Sequence, residues 1–288
     1  MALSLRERSF AADKSDIYID GKNLRAYGCF VTSDGWTIEK TTPSTNYTDV
    51  PGVEGGADTT AENVDDAAYL GRRDVTINVA AVGDQGEVLE AKQLVGYLVG
   101  RTVELFNLLE GLTLTGRVSV DSWEDIYAAG GKLVGSNTSI TFDCEPLATG
   151  KTVRVDLKRG TNDVTLKGNR AVRPRCGIYA SSGSGSGLYG FKIGSTTMKT
   201  NDSFPLSKGC VYDCANRFVY GVAELSSVTS SDTPLNLTFD SDWLQLPAGK
   251  FQIVADAPSY IEYEPKYVGV RCFREIPKNR LSRQGMPF

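Results

Sequence analysis

Several groups of residues in this 288-residue chain could do chemistry, and each has a plainer competing use. Carboxylates occur close together at Asp65-Asp66, at Glu124-Asp125, and at Glu262 with Glu264. Glycoside hydrolysis needs such a pair, one acid protonated in an apolar pocket and its partner ionised at a fixed separation. Sequence does not set that separation, and acids solvated at the surface are the commoner case. Cys210 and Cys214 lie four apart, with Cys176 and Cys272 elsewhere in the same half. A four-thiolate zinc site takes two close pairs and only one is present, so core cysteines are the expected reading. Residues 181–187 (SSGSGSG) have the glycines of a phosphate cradle without the Lys and Ser/Thr of a P-loop. No helix is expected after them, so they read as a surface loop. Trp243, Tyr260 and Tyr263 could stack on sugar rings, against the usual role of such aromatics in a core.

Histidine is absent from the chain. Its absence excludes a Ser-His-Asp triad, a Cys-His dyad and any metal site built on imidazole. No cofactor and no metal are expected. Hydrophobic residues make up 41% and charged residues 23%, enough to fill a core and keep its surface wet. No apolar run reaches the roughly 18 residues that span a bilayer, and the start MALSLRERSF has no signal-peptide core. A reduced protein without a membrane anchor, made in a cytoplasm, is expected.

The elements that must position these groups are read from periodicity. Ile17 and Ile19 alternate with polar neighbours before an Asp20-Gly21 turn. Residues 73–82, 101–109, 112–123 and 133–144 alternate as strands. Between the first two lies a helix, with Asp84 as N-cap, Glu87 reaching back, and Val88, Ala91, Leu94, Val95 and Leu98 as one stripe ending at Gly100. Residues 41–73 lose the core-forming types and gather acids and glycines, a loop longer than compact domains usually hold. After the turn-rich joint at 145–150, strand candidates recur at 153–157, 163–167, 173–179, 187–193, 210–213, 218–222, 235–239, 249–255 and 260–267. The expected fold is mainly β: a sheet with one packed helix over 1–148, then a β-sandwich over 149–288.

The formal net charge of −4 is unevenly spread. Residues 1–150 carry 12 Lys/Arg against 23 Asp/Glu, and residues 151–288 carry 19 against 12. The halves therefore stand at −11 and +7. A basic run, Arg271, Arg274, Lys278, Arg280 and Arg283, closes the chain and suits an acidic protein partner.

Several stretches in order resemble the phage distal tail (Dit) family: IYIDGKNLRAYG at 17–28, VPGVEGGADTT at 50–60, YLGRRDVTINV at 69–79, and LTGRVSV at 114–120. In the second half GTNDVTLKGNRAVRPRCGIY at 160–179, CVYD at 210–213 and WLQLPAG at 243–249 resemble segments of that family's galectin-like domain. The resemblance covers nearly the whole chain. It implies a non-enzymatic virion protein, assembled in the host cytoplasm and placed at the tail tip. It further implies a self-associating ring, taken as a hexamer, that joins the tail tube to tail-tip and receptor-binding proteins and passes DNA without binding it specifically. An acidic inner domain would repel phosphates in such a channel. The loop would then be ordered at subunit contacts, with Pro51, Gly52, Glu54, Asp58, Asp65, Asp66, Arg72 and Arg73 as interface candidates. A tail tube or terminator subunit and a host-glycan-binding module are the rival readings.

Overall fold

The computed structural model describes residues 17–49, 57–109, 111–179, 190–200, 209–222 and 233–269. Expectations resting on Pro51, Gly52, Glu54, residues 181–187, Cys272, Arg271, Arg274, Lys278, Arg280 and Arg283 lie outside the described residues. The chain is mainly β, with one α-helix among the described residues. It divides into two compact units.

The first unit holds residues 17–40 and 74–144. Its main sheet runs in the order Lys22–Asn23, Tyr18–Ile19, Thr102–Leu109, Leu112–Val120, Leu133–Cys144, Arg73–Val82, Cys29–Ile38. Arg73–Val82 buries Val75, Ile77, Val79 and Ala81 in strict alternation, as its sequence requires. The short hairpin at Asp20-Gly21 uses positive φ at both turn residues, 48° and 73°, the geometry that matches strand twist. Asp20 is also tied to the next strand: its N–H donates to the Glu104 carbonyl at 2.9 Å, and its Oδ1 accepts from the Glu104 N–H at 2.8 Å.

The helix Gln85–Gly96 opens with the expected capping box. The Glu87 N–H donates to Asp84 Oδ1 at 2.9 Å, and the Asp84 N–H donates to Glu87 Oε2 at 3.1 Å. Val88, Ala91, Leu94 and Val95 form its buried face. It stops before the expected Gly100 because Leu98 and Val99 bond three residues back, tightening the last turn. The close approach that seats the helix needs a glycine. Gly28, at φ 74° after a 3-10 turn, would place a Cβ 2.9 Å from the Ala91 Cβ.

The second unit is a two-sheet sandwich. One sheet runs Val153–Leu157, Ser259–Tyr263, Arg175–Tyr179, Gly209–Asp213, Phe218–Val222, Thr233–Pro234, and the other Gly160–Thr165, Lys250–Ala255, Gly190–Ile193, Thr196–Lys199. Their facing side chains, among them Cys176, Ile178, Phe191, Met198, Tyr212, Leu244, Ile253 and Ile261, make one core. Most strand expectations for this region fall on strands. The exception, 235–239, is irregular apart from a single bridge of Leu237 to Thr200.

The units divide the chain differently from the expected boundary at 148/149. The second unit takes Thr41–Arg73 as well as Glu145–Val268. The acidic loop therefore packs with the sandwich, although the strands on either side of it, Cys29–Ile38 and Arg73–Val82, pair with each other in the first sheet. Over the described residues the split at 150/151 is −9 against +5, and regrouping by unit shrinks it. Over described residues the first unit carries 7 Lys/Arg against 12 Asp/Glu, and the second 15 against 14. The result is −5 and +1.

Candidate functional site

The described residues between 41 and 73 form an arm held together by backbone and short polar side-chain bonds. Its two ends run together: the Ser44 N–H donates to the Tyr69 carbonyl at 2.7 Å, and the Gly71 N–H to the Thr42 carbonyl at 2.8 Å. Inside this stem Tyr47–Thr48 pairs with Ala57–Asp58, and Glu62 bridges Ala68. Asp58 Oδ1 accepts the Thr60 N–H at 2.9 Å, and bonding from Thr60 holds its carboxyl below the usual range. The tip is a tight turn. Asn63 Oδ1 accepts the Asp65 N–H at 2.9 Å and the Ala67 N–H at 3.3 Å, and Asp66 sits at φ 52°.

That turn presents Asp65 to the sandwich. Its Oδ2 accepts the Ala171 N–H at 2.7 Å and its Oδ1 accepts the Ala248 N–H at 2.8 Å. The two donors belong to segments already laced together. The Val172 N–H donates to the Leu246 carbonyl at 3.0 Å, and the Leu246 N–H donates back to Val172 at 2.8 Å. Val172, Leu244 and Leu246 are buried beneath them. Both segments lie within stretches that the sequence singled out, GNRAVRP and WLQLPAG. The neighbouring Asn169 explains part of the first: its amide exchanges two bonds of 2.8 Å with the backbone of Val268.

A carboxylate accepting two backbone N–H groups has both of its oxygens engaged. This geometry makes Asp65 a fastener and leaves it no free oxygen placed for proton transfer. Of the other interface candidates, Asp66 and Arg72 are exposed, while Arg73 is 7% exposed at the start of its strand. The structure brings Asp65 to a seat within its own chain. The seat itself was invisible to residue-type reasoning, because its donors are main-chain groups of two alanines.

The remaining candidates resolve simply. Asp125 accepts from Lys92 and from the Ser136 hydroxyl, and these bonds, that of Lys92 first, hold its carboxyl low. Glu264 pairs with Lys266 at 3.7 Å. Tyr260 and Tyr263 are 1% and 3% exposed, and Trp243 packs against the core, so the proposed sugar-stacking rings are spent on packing. Tyr260 lies across Gly177, where an added Cβ would come within 2.3 Å of its ring, and the Arg154 guanidinium stacks 3.8 Å from its centroid. Cys29, Cys144, Cys176, Cys210 and Cys214 are buried, and none forms a disulfide among the described residues. Burial pushes Cys29 and Cys210 up to about 12, which keeps them as unreactive thiols. Among the described residues no group of three or more Cys, Asp or Glu side chains could hold a metal ion. A polar cleft of about 500 Å³ in the first unit carries Asp34, Asp121 and Glu124. Its walls bond to one another, with Ser139 Oγ donating to Asn78 Oδ1 at 2.8 Å.

No protein-family model matches the chain and no curated protein matches it. Solved structures do. The SPP1 Dit (gp 19.1) protein, described as a paradigm of hub adsorption apparatus in Gram-positive infecting phages, matches at 19% identity with a TM-score of 0.62. The match covers 88% of this chain and 99% of that one. The phage P2 baseplate in its activated conformation with Ca matches at 11% identity and TM-score 0.38, over 82% of this chain and 92% of that chain. The chain shares the fold of the SPP1 protein.

Proposed function

We propose that the chain is a distal tail hub subunit of a long-tailed phage, a structural protein of the virion tail tip without catalytic activity. Copies associate through the first unit into a closed ring, taken as a hexamer. The ring joins the tail tube to tail-tip and receptor-binding proteins and leaves an opening for DNA. The observation that carries this reading is the fold shared with SPP1 Dit along 99% of that protein's length, since the match spans both units of the present chain. A tail tube or terminator subunit would account for a sheet with one helix but leaves the sandwich unexplained. The net −5 of the first unit suits a surface that DNA passes without sticking. The burial of Tyr260 and Tyr263 gives the glycan-binding reading no support from those rings. Negative-stain microscopy of the purified protein tests the proposal. Rings with a central opening are expected, and discrete single copies at micromolar concentration would count against it.

A further inference from the structure

We propose that the turn 238–241 is a docking knob, whose Phe239 ring fits an apolar pocket of another tail protein, a pocket edged by Lys or Arg side chains. The inference rests on the hub reading, which supplies the assembly where such a neighbour is met. Phe239 is 109% exposed, so its own chain leaves the whole ring to water. Tyr179 and Phe218 of the same unit stand at 47% and 55%. The backbone beneath the ring is nevertheless fixed. The Ser241 N–H donates to the Thr238 carbonyl at 3.0 Å, closing a turn with Phe239 and Asp240 at its two central positions. That turn is tied to the edge strand Thr196–Lys199. The Thr238 N–H donates to the Lys199 carbonyl at 3.0 Å and the Asp242 N–H to the Thr197 carbonyl at 2.9 Å. The Lys199 N–H donates in return to Ser241 Oγ at 3.0 Å. On either side of the turn Leu237 and Trp243 pack against the sandwich core. A ring held out on a base tied in this way loses little freedom on docking, and buried aromatic anchors dominate the binding energy of interfaces.

Charge decides what kind of surface the ring meets. Asp240 and Asp242 are exposed beside it. The Lys199 ammonium lies 3.4 Å from Asp256, so its charge is already answered there. The turn therefore presents an apolar ring flanked by two carboxylates, and the complementary pocket is apolar within and basic at its edge. A lipid bilayer fits this chemistry poorly. One ring buries too little area to hold a protein on a membrane, and anionic headgroups repel both carboxylates. A twofold contact between two such turns is disfavoured as well, because it would bring the carboxylates of both copies face to face. A different protein remains as the occupant.

The test places the photo-crosslinking residue p-benzoylphenylalanine at position 239 of the full-length protein during tail assembly, with the same residue at exposed Gln252 as the control. Irradiation of the purified tails is expected to give one adduct, at least tenfold above the control, to a Lys- or Arg-containing segment of a different tail polypeptide. Asp240→Lys combined with Asp242→Lys is expected to cut that yield at least tenfold while the urea midpoint stays unchanged. Adducts only to other copies of this chain, adducts to no polypeptide, or a yield indifferent to the charge reversal would overturn the knob. Immunoblotting of the same tails separates the two ways of failing. Tails that lack the protein contradict the hub reading and the knob with it, whereas tails that contain it and give no adduct contradict the knob alone.

Discussion

Two adjoining stretches of the chain reach order by opposite means. Residues 73–96 place Val75, Ile77, Val79 and Ala81 on one side of a strand, then Val88, Ala91, Leu94 and Val95 on one side of a helix, and all eight are buried. Residues 41–72 bury nothing in their described part, yet they carry a stem, two paired segments and a turn whose tip meets its seat at hydrogen-bond distance. The first stretch is shaped by the exclusion of apolar surface from water, the second by the need to satisfy backbone donors. The difference predicts where each is vulnerable. Damage to the first should be global, and damage to the second should stay local.

The largest effect is expected from Ile77→Ala, which removes a fully buried side chain from the centre of the first sheet. A loss of about 2–5 kcal/mol in unfolding free energy should follow, read from a urea midpoint. Asp65→Ala sharpens the contrast. It removes two bonds to a charged acceptor, each typically about 1.5–3 kcal/mol, but the loss is confined to the arm. Limited proteolysis should cut within 57–70 while the urea midpoint of the sandwich moves little. A shared shift in both would erase the distinction. Asp84→Ala should cost about 1 kcal/mol through the lost helix cap. Two smaller effects concern charge and thiols. Asp125 is held below its ordinary value of 3.8 by Lys92 first and Ser136 next. A depressed native value means the contribution is present above the unfolded value and lost as pH falls through the native one. Exchange in the hairpin 124–137 should therefore rise only in strong acid, and Lys92→Met should shift that rise to higher pH. Cys29 and Cys210, pushed up to about 12, should resist iodoacetamide at pH 8 in the native protein and react once it is unfolded.

Periodicity made much of the fold legible. The strands Arg73–Val82 and Leu133–Cys144, the capped helix and most sandwich strands follow from where apolar residues recur. The short strand Glu124–Tyr127 did not, because all four of its residues are exposed and none alternates inward. The expected joint at 145–150 lies beside the break between the units, whereas the grouping of 41–73 with the sandwich was not legible, for a related reason. Composition marked 41–73 as unusual, but its attachment runs through main-chain N–H groups at Ala171 and Ala248, which leave no signature in residue type. The motifs GNRAVRP and WLQLPAG were visible, and their service as the seat of an acidic turn was not. The charge split shows the same limit. Over the described residues, halving the chain at 150/151 separates −9 from +5, while dividing it by packing leaves −5 and +1.

A cryo-electron-microscopy reconstruction of the purified full-length protein, resolved to the level of strands, would show which unit borders the opening. If copies assemble as proposed, a closed ring is expected, with the sheet of residues 74–144 around the opening and the sandwich outside it. A ring lined by the sandwich, or particles containing a single copy, would contradict it.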